Sequence, residues 1–166
     1  MPFYLKEAAF LQEVSVGRNP VGDIYNEKNC PFTMDQAVIL QKGSDVTLIA
    51  CGEMVKKAVD AAEILAKEGI SASVIDMYCV KPLDKKAVVE AAQNTKLVVT
   101  VEEHAPFGGL GSMVSQVVAA ECSKKVINIA LPDAPVITGN SQEVFAYYGM
   151  DGEGIAKTAR QALFAE

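Results

Sequence analysis

From residue 36 onward the chain alternates between two hydrophobic periods. AVIL (37–40) is a short apolar run, KGSD (42–45) reads as a turn, and VTLIA (46–50) is continuously apolar. An apolar run without polar alternation predicts a strand covered on both faces. After Cys51-Gly52 the period changes. Val55, Ala58, Val59, Ala62 and Leu65 recur at helical spacing, with Lys56, Lys57, Asp60, Glu63 and Lys67 filling the other face. Gly69 predicts the stop. SASVID (71–76) predicts the next strand. In KPLDKKAVVEAAQN, Pro82 and Asp84 mark a helix start, with Asp84 at the N-cap. KLVVTV (96–101) predicts a third buried strand. Leu110, Met113, Val114, Val117 and Val118 then form one helical stripe, and VINIAL (126–131) predicts a fourth buried strand. Ser141 is expected to cap a short helix through Tyr148, and Asp151 to open a last helix.

Strands alternating with helices imply βαβ units, a mostly parallel sheet and helices on both of its faces. AVIL is joined to VTLIA by a turn too short for a parallel crossover. These two strands are therefore expected to be antiparallel or not paired directly, which makes AVIL the odd strand. Residues 1–35 fit the pattern less well. VSVGRNPVGDIYNE reads as the tail of another element with a turn at Asn19-Pro20, and residues 26–35 read as a linker.

Composition narrows the function classes. The 166 residues suit one domain with a full core, and 50% hydrophobic against 22% charged residues describes a soluble globular chain. A net charge of -6, no basic run, and Arg18 and Arg160 as the only arginines argue against tracking nucleic-acid phosphates. No apolar stretch approaches the roughly 20 residues of a membrane span. MPFYLKEAAF has neither the basic start nor the apolar run of a signal peptide. Cys30, Cys51, Cys79 and Cys122 are widely spaced, and there is one histidine, so no zinc site is expected. Cys51 and Cys79 are expected as small core residues, and reduced thiols fit a cytoplasmic protein.

The stretch richest in candidate chemistry is VEEHAPFGGLGS (101–112). Glu102 and Glu103 adjoin His104, just past the end of a buried strand, where open α/β sheets place ligands. A carboxylate can orient an imidazole and raise its basicity. Strand alternation sends Glu102 and Glu103 to opposite faces, so one of them is expected to meet His104 or the following helix start. Gly108, Gly109 and Gly111, with Ser112 near the cap, could hold an anion on exposed amides or simply make a tight corner. The G-G-x-G spacing departs from the dinucleotide fingerprint, and the corner reading is preferred. No serine, cysteine or metal partner completes an active site, so a polar contact is preferred over catalysis. Arg18, beside Gly17, has the planar fork that suits a phosphate or carboxylate, but by residue type alone it reads as a surface charge. The Asp151-Gly152-Glu153-Gly154 stretch is too short for a calcium loop and reads as a helix start.

Several of these pieces, taken in order, resemble the C-terminal domain of transketolase-like thiamine-diphosphate enzymes. They are GSDVTLIACGEMVKKAVDAAEIL, SASVIDMYCVKPLD, VVTVEEHAPFGGLGS and GNSQEVFAYYGMDGEGIAKTA, and they cover about residues 36 to 163. The resemblance implies a three-layer α/β/α domain over residues 36–166, with a five-stranded, mostly parallel sheet and one antiparallel strand. SVGRNPVGDIY resembles the exit of the pyrimidine-binding domain, which makes residues 1–35 a remnant of that domain plus a linker. By the same resemblance Arg18 becomes a candidate contact for the sugar phosphate. The parent enzyme would use thiamine diphosphate and Mg2+, but the G-D-G…N-N motif that holds them is absent from this sequence, and the family's third domain does not bind the cofactor directly. The expected chain is therefore a C-terminal subunit or an excised fragment, inactive alone, partnered by other transketolase domains or an N-terminal subunit and forming a homodimer. The parent reaction would be two-carbon ketol transfer between phosphosugars. Alternatives are a deoxyxylulose-phosphate synthase, a 2-oxoacid dehydrogenase β-chain, or a free-standing small-ligand or regulatory domain.

Overall fold

The computed structural model describes residues 13–14, 22–25, 33 and 35–165. Its centre is the run VTLIA, which forms β3 (Val46–Ala50) and is buried at every position. A strand with no polar face needs neighbours on both edges and cover on both sides. β4 (Ala72–Asp76) and β6 (Leu97–Val101), also buried throughout, flank β3 in parallel register. β7 (Val126–Ile129) adds in parallel outside β6. β2 (Val38–Gln41) adds outside β4 and is antiparallel to it, giving the order β2-β4-β3-β6-β7. AVIL thus supplies the single antiparallel strand, and it does not pair with VTLIA. A two-residue strand, β1 (Glu13–Val14), pairs antiparallel with β5 (Cys79–Lys81) apart from this sheet.

The pleat divides the core in two. Val46, Leu48, Ala50, Val74 and Val99 face one side, where α1 (Met54–Lys67) and α5 (Gly152–Phe164) cover them with small residues such as Ala58, Ala61, Ala62, Ala156 and Ala159. Ile49, Ile75 and Val98 face the other side, under α2 (Lys85–Asn94) and α3 (Leu110–Glu121). α4 (Ser141–Tyr147) inserts Phe145 into the first core. The result is the expected three-layer sandwich. Cys51 and Cys79 are buried, as expected of small core residues.

Three details differ from the sequence expectations. VINIAL shortens to Val126–Ile129 and is only partly buried, because β7 is an edge strand with a neighbour on one side. The short helix is capped by Asn140, whose side chain accepts from Gln142 N at 2.9 Å, and not by Ser141. Both residue types cap well; Asn140 holds the extended backbone that the position requires. β5 is an element that the sequence did not foretell, since three residues show no period. Asp84 and Asp151 cap their helices as expected, accepting from Ala87 N (2.9 Å) and Gly154 N (2.8 Å).

Candidate functional site

β6 delivers the chain to the carboxyl edge of the sheet, and Glu102 is its first residue beyond the ladder. The Glu102 N–H still donates to the Ile129 carbonyl at 3.1 Å, which fixes the side chain's direction. That side chain turns inward and is 3% exposed. Its carboxylate accepts from Leu110 N at 2.7 Å and from Gly111 N at 2.8 Å, the first amides of α3. The N-cap residue Gly109 has no side chain to offer, so Glu102 caps the helix from outside it. The helix-start charge and two amide donors favour a carboxylate there.

The glycines follow from this close approach. A Cβ on Gly109 would lie 2.0 Å from Glu102 Oε2. One on Gly111 would lie 2.9 Å from Thr100 Oγ1 and 2.7 Å from Asn128 Cγ, so α3 could not settle onto β6 and β7. Gly108 has a φ of +81°, a backbone that side chains rarely adopt. Its N–H donates to Ser112 Oγ at 3.0 Å, and the Ser112 hydroxyl donates to the Pro106 carbonyl at 2.9 Å. The corner is thus held from below by Glu102 and across by Ser112.

Above it stand Glu103 and His104, both exposed. His104 Nδ1 lies 2.9 Å from the Ala105 carbonyl, and the His104 carbonyl accepts from Leu131 N at 3.0 Å, tying this loop to the segment after β7. Phe107, at the loop's crest, is 72% exposed. Nothing in the sequence marked Phe107 beyond its place as an aromatic between Pro106 and two glycines, and it was missed. Glu103, His104, Gly108, Gly109, Gly111 and Ser112 were expected together as one corner, and the structure places them so. Which of Glu102 and Glu103 meets the helix start was left open by the sequence; it is Glu102. Arg18 lies outside the described residues.

A second feature at the same edge is Asp76, the last residue of β4. It is 5% exposed. Tyr25 Oη donates to its Oδ2 at 2.7 Å, while Oδ1 has no partner among the described residues. Burial pushes the Asp76 carboxyl above the ordinary carboxylate range, and the Tyr25 hydrogen bond offsets part of that.

The fit to a diphosphate and its metal is poor. Among the described residues no three His, Cys, Asp or Glu side chains converge as metal ligands. The first amides of α3, which might meet a phosphate, already hold Glu102. Among the described residues, no helix is long and apolar enough to cross a membrane.

Residues 35–155 match the family model described as "Transketolase, C-terminal domain". The chain is 45% identical over 146 residues to an apulose-4-phosphate transketolase subunit of Phocaeicola vulgatus, covering 88% of this chain and 46% of that protein. It is 43% identical over 125 residues to the 1-deoxy-D-xylulose-5-phosphate synthase of Syntrophotalea carbinolica, covering 75% of this chain and 20% of that one. Among solved structures, a split-gene transketolase described as an inactive beta4 tetramer superposes with a TM-score of 0.79 at 36% identity, over 89% of this chain and 47% of the other. The chain spans about half the length of the Phocaeicola relative and of the split-gene chain. With the match over residues 35–155 and the superposition of the fold in agreement, the chain belongs to the transketolase C-terminal domain family.

Proposed function

We propose that this chain forms the C-terminal part of a transketolase and serves its assembly rather than its chemistry. The observation that carries this reading is the corner after β6: a loop braced by buried Glu102 that presents His104 and a largely exposed Phe107. An exposed aromatic on a rigid loop loses little freedom when a neighbour covers it, which suits a contact. Glu103, His104, Gly108 and Ser112 form that contact, against another transketolase domain, an N-terminal subunit or a second copy, and Gly109 and Gly111 let the corner close beneath it. The Phocaeicola relative, itself a transketolase subunit, and the inactive tetramer of a split-gene enzyme support such a division of labour.

In the parent enzyme a two-carbon ketol unit passes between phosphosugars. Thiamine diphosphate and Mg2+ sit on the other domains, residues 1–35 belong to the pyrimidine-binding domain, and Arg18 meets the sugar phosphate. The setting is cytoplasmic. The identity to a 1-deoxy-D-xylulose-5-phosphate synthase supports a second reading, in which the same domain serves that reaction.

The test has two arms. The chain alone, given thiamine diphosphate, Mg2+ and phosphosugars, is expected to show no turnover. In the enzyme reconstituted with a chain bearing the diphosphate-binding motif, His104→Ala is expected to weaken assembly while leaving kcat within a few-fold. A kcat loss of roughly 10²-fold with unchanged assembly, the scale of a lost acid/base group, would place His104 in the chemistry instead.

A further inference from the structure

The stripe on α3 is wider than the sheet can cover. Leu110, Val114 and Val118 are buried, but Met113 and Val117 are only half-buried. They line a groove of about 1170 Å³ between α2 and α3, on the outer face of the domain, together with Val89 and Ala120 among the described residues. The stretch of α3 from Met113 to Glu121 gives the groove a length of roughly 12 Å. A concave site of this size with apolar walls and a few charged groups at its ends is built like a small-molecule site.

The two ends of this groove differ in charge. α2 and α3 each return the chain from the carboxyl edge to the amino edge of parallel strands, so they run in the same direction. Lys81, Lys85 and Lys86 line the groove at the end where α2 starts. Glu121, the last residue of α3, lines the opposite end, and Glu90 lies along the way. Lys85 and Lys86 occupy the first turn of α2, which has no acidic residue. Cations are disfavoured there by the helix dipole. The neighbouring carboxylate, Asp84, turns its two oxygens to Ala87 N and Ala37 N. Lys81 and Lys85 have no ion-pair partner among the described residues. Lys86 meets Glu90 only loosely, at 3.9 Å and in solvent, a pair that contributes little and is easily exchanged. The helix itself therefore gives no reason for this cationic end.

We propose that the α2–α3 groove binds a small amphipathic anion, with one carboxylate or phosphate head at Lys81, Lys85 and Lys86 and an apolar body along Val89, Met113, Val117 and Ala120. The lysine stems extend the apolar surface, and their ammonium groups keep to the water until the head arrives. Burial of the body against the half-covered stripe supplies the affinity, and the charged end supplies the orientation. Glu121 at the far end excludes a second anionic group there. An anionic membrane spreads its charge over the whole face and would meet Glu90 and Glu121 as well, whereas a single molecule with one charged end meets the lysines alone. A chain with a net charge of -6 repels anions at long range, so binding depends on a local cationic cluster of this kind. This site goes beyond the contact proposed around His104 and borders it at Gly108.

The experiment uses the full chain, with octanoate, octyl phosphate, octylammonium and acetate as probes, read by calorimetry and by backbone amide shifts in NMR spectra. Octanoate, octyl phosphate or both are expected to bind saturably at one site and to move amides of α2 and α3; the tighter of the two identifies the head. Acetate has no body to bury, and octylammonium has a head of the wrong sign, so each is expected to bind at least about tenfold more weakly. Lys81→Gln/Lys85→Gln is expected to weaken the anions by about tenfold. Both positions are exposed, and thermal melts verify that the variant folds. The proposal is overturned if neither eight-carbon anion binds saturably, if acetate or octylammonium binds as well as they do, if the shifted amides lie away from the groove, or if the folded variant binds as the wild type does. None of these outcomes bears on turnover or on the assembly read by His104→Ala, so the two proposals fail separately.

Discussion

Glu102 joins two links that are usually separate: it ends a strand and begins a helix. Its two oxygens satisfy the first amides of α3, and Gly109 is a glycine because that carboxylate occupies the space of its Cβ. Glu102→Ala is expected to reduce unfolding free energy by about 2–4 kcal/mol, since it leaves two buried donors unmet. Glu102→Gln, which keeps one acceptor, should lose less; denaturant melts distinguish them. Asp76 acts in the opposite sense. Burial raises its folded-state pKa above the unfolded value near 3.8. Its contribution to stability is fully present below the unfolded value and is lost as pH rises through the folded one. Asp76→Asn, which keeps an acceptor for Tyr25, is therefore expected to be more stable than wild type at neutral pH, with the gap closing toward about pH 3. Urea titrations at both pH values measure it, and a gap that widens on acidification would contradict the assignment.

Among the elements, α2 has the most demanding start. Asp84 accepts from Ala87 N with one oxygen and from Ala37 N, at the threshold of β2, with the other. Asp84→Ala is expected to lower stability by about 1–2 kcal/mol, the usual loss of an N-cap. Unlike Asp151→Ala, it should also speed amide exchange in β2; equal exchange in the two variants would show that the second bond does no holding. The cap at Asp84 was legible because a good cap type stood alone before a helical stripe. Asn140 was not, because Ser141 beside it is an equally good cap and only the backbone conformation separates them. The long strands were legible because a run buried on both faces shows no alternation of apolar and polar positions. β5 and the exposed end of β7 were not, because three residues have no period and an edge has only one neighbour.

At the scale of the whole molecule, the architecture follows from the fact that β3, β4 and β6 each lack a polar side, so helices had to enclose them in two layers. The candidate site was half legible. Position past a strand end and glycine spacing marked the corner, but which glutamate turned inward depended on the register that the Glu102 amide makes with Ile129. Phe107 and Asp76 escaped notice because exposure and an unmet oxygen are properties of three dimensions. The strand order has one further consequence. Numbered by appearance, β3, β4, β6 and β7 are laid down outward from the centre, so each new parallel strand finds its neighbour already made. Within the five-stranded sheet β2 alone waits at the edge for a partner that comes two strands later, and Val38 has nothing to pair with until Asp76 exists. A nascent chain leaving the ribosome thus carries one idle edge through the making of α1, and it is the later strand that recruits the earlier.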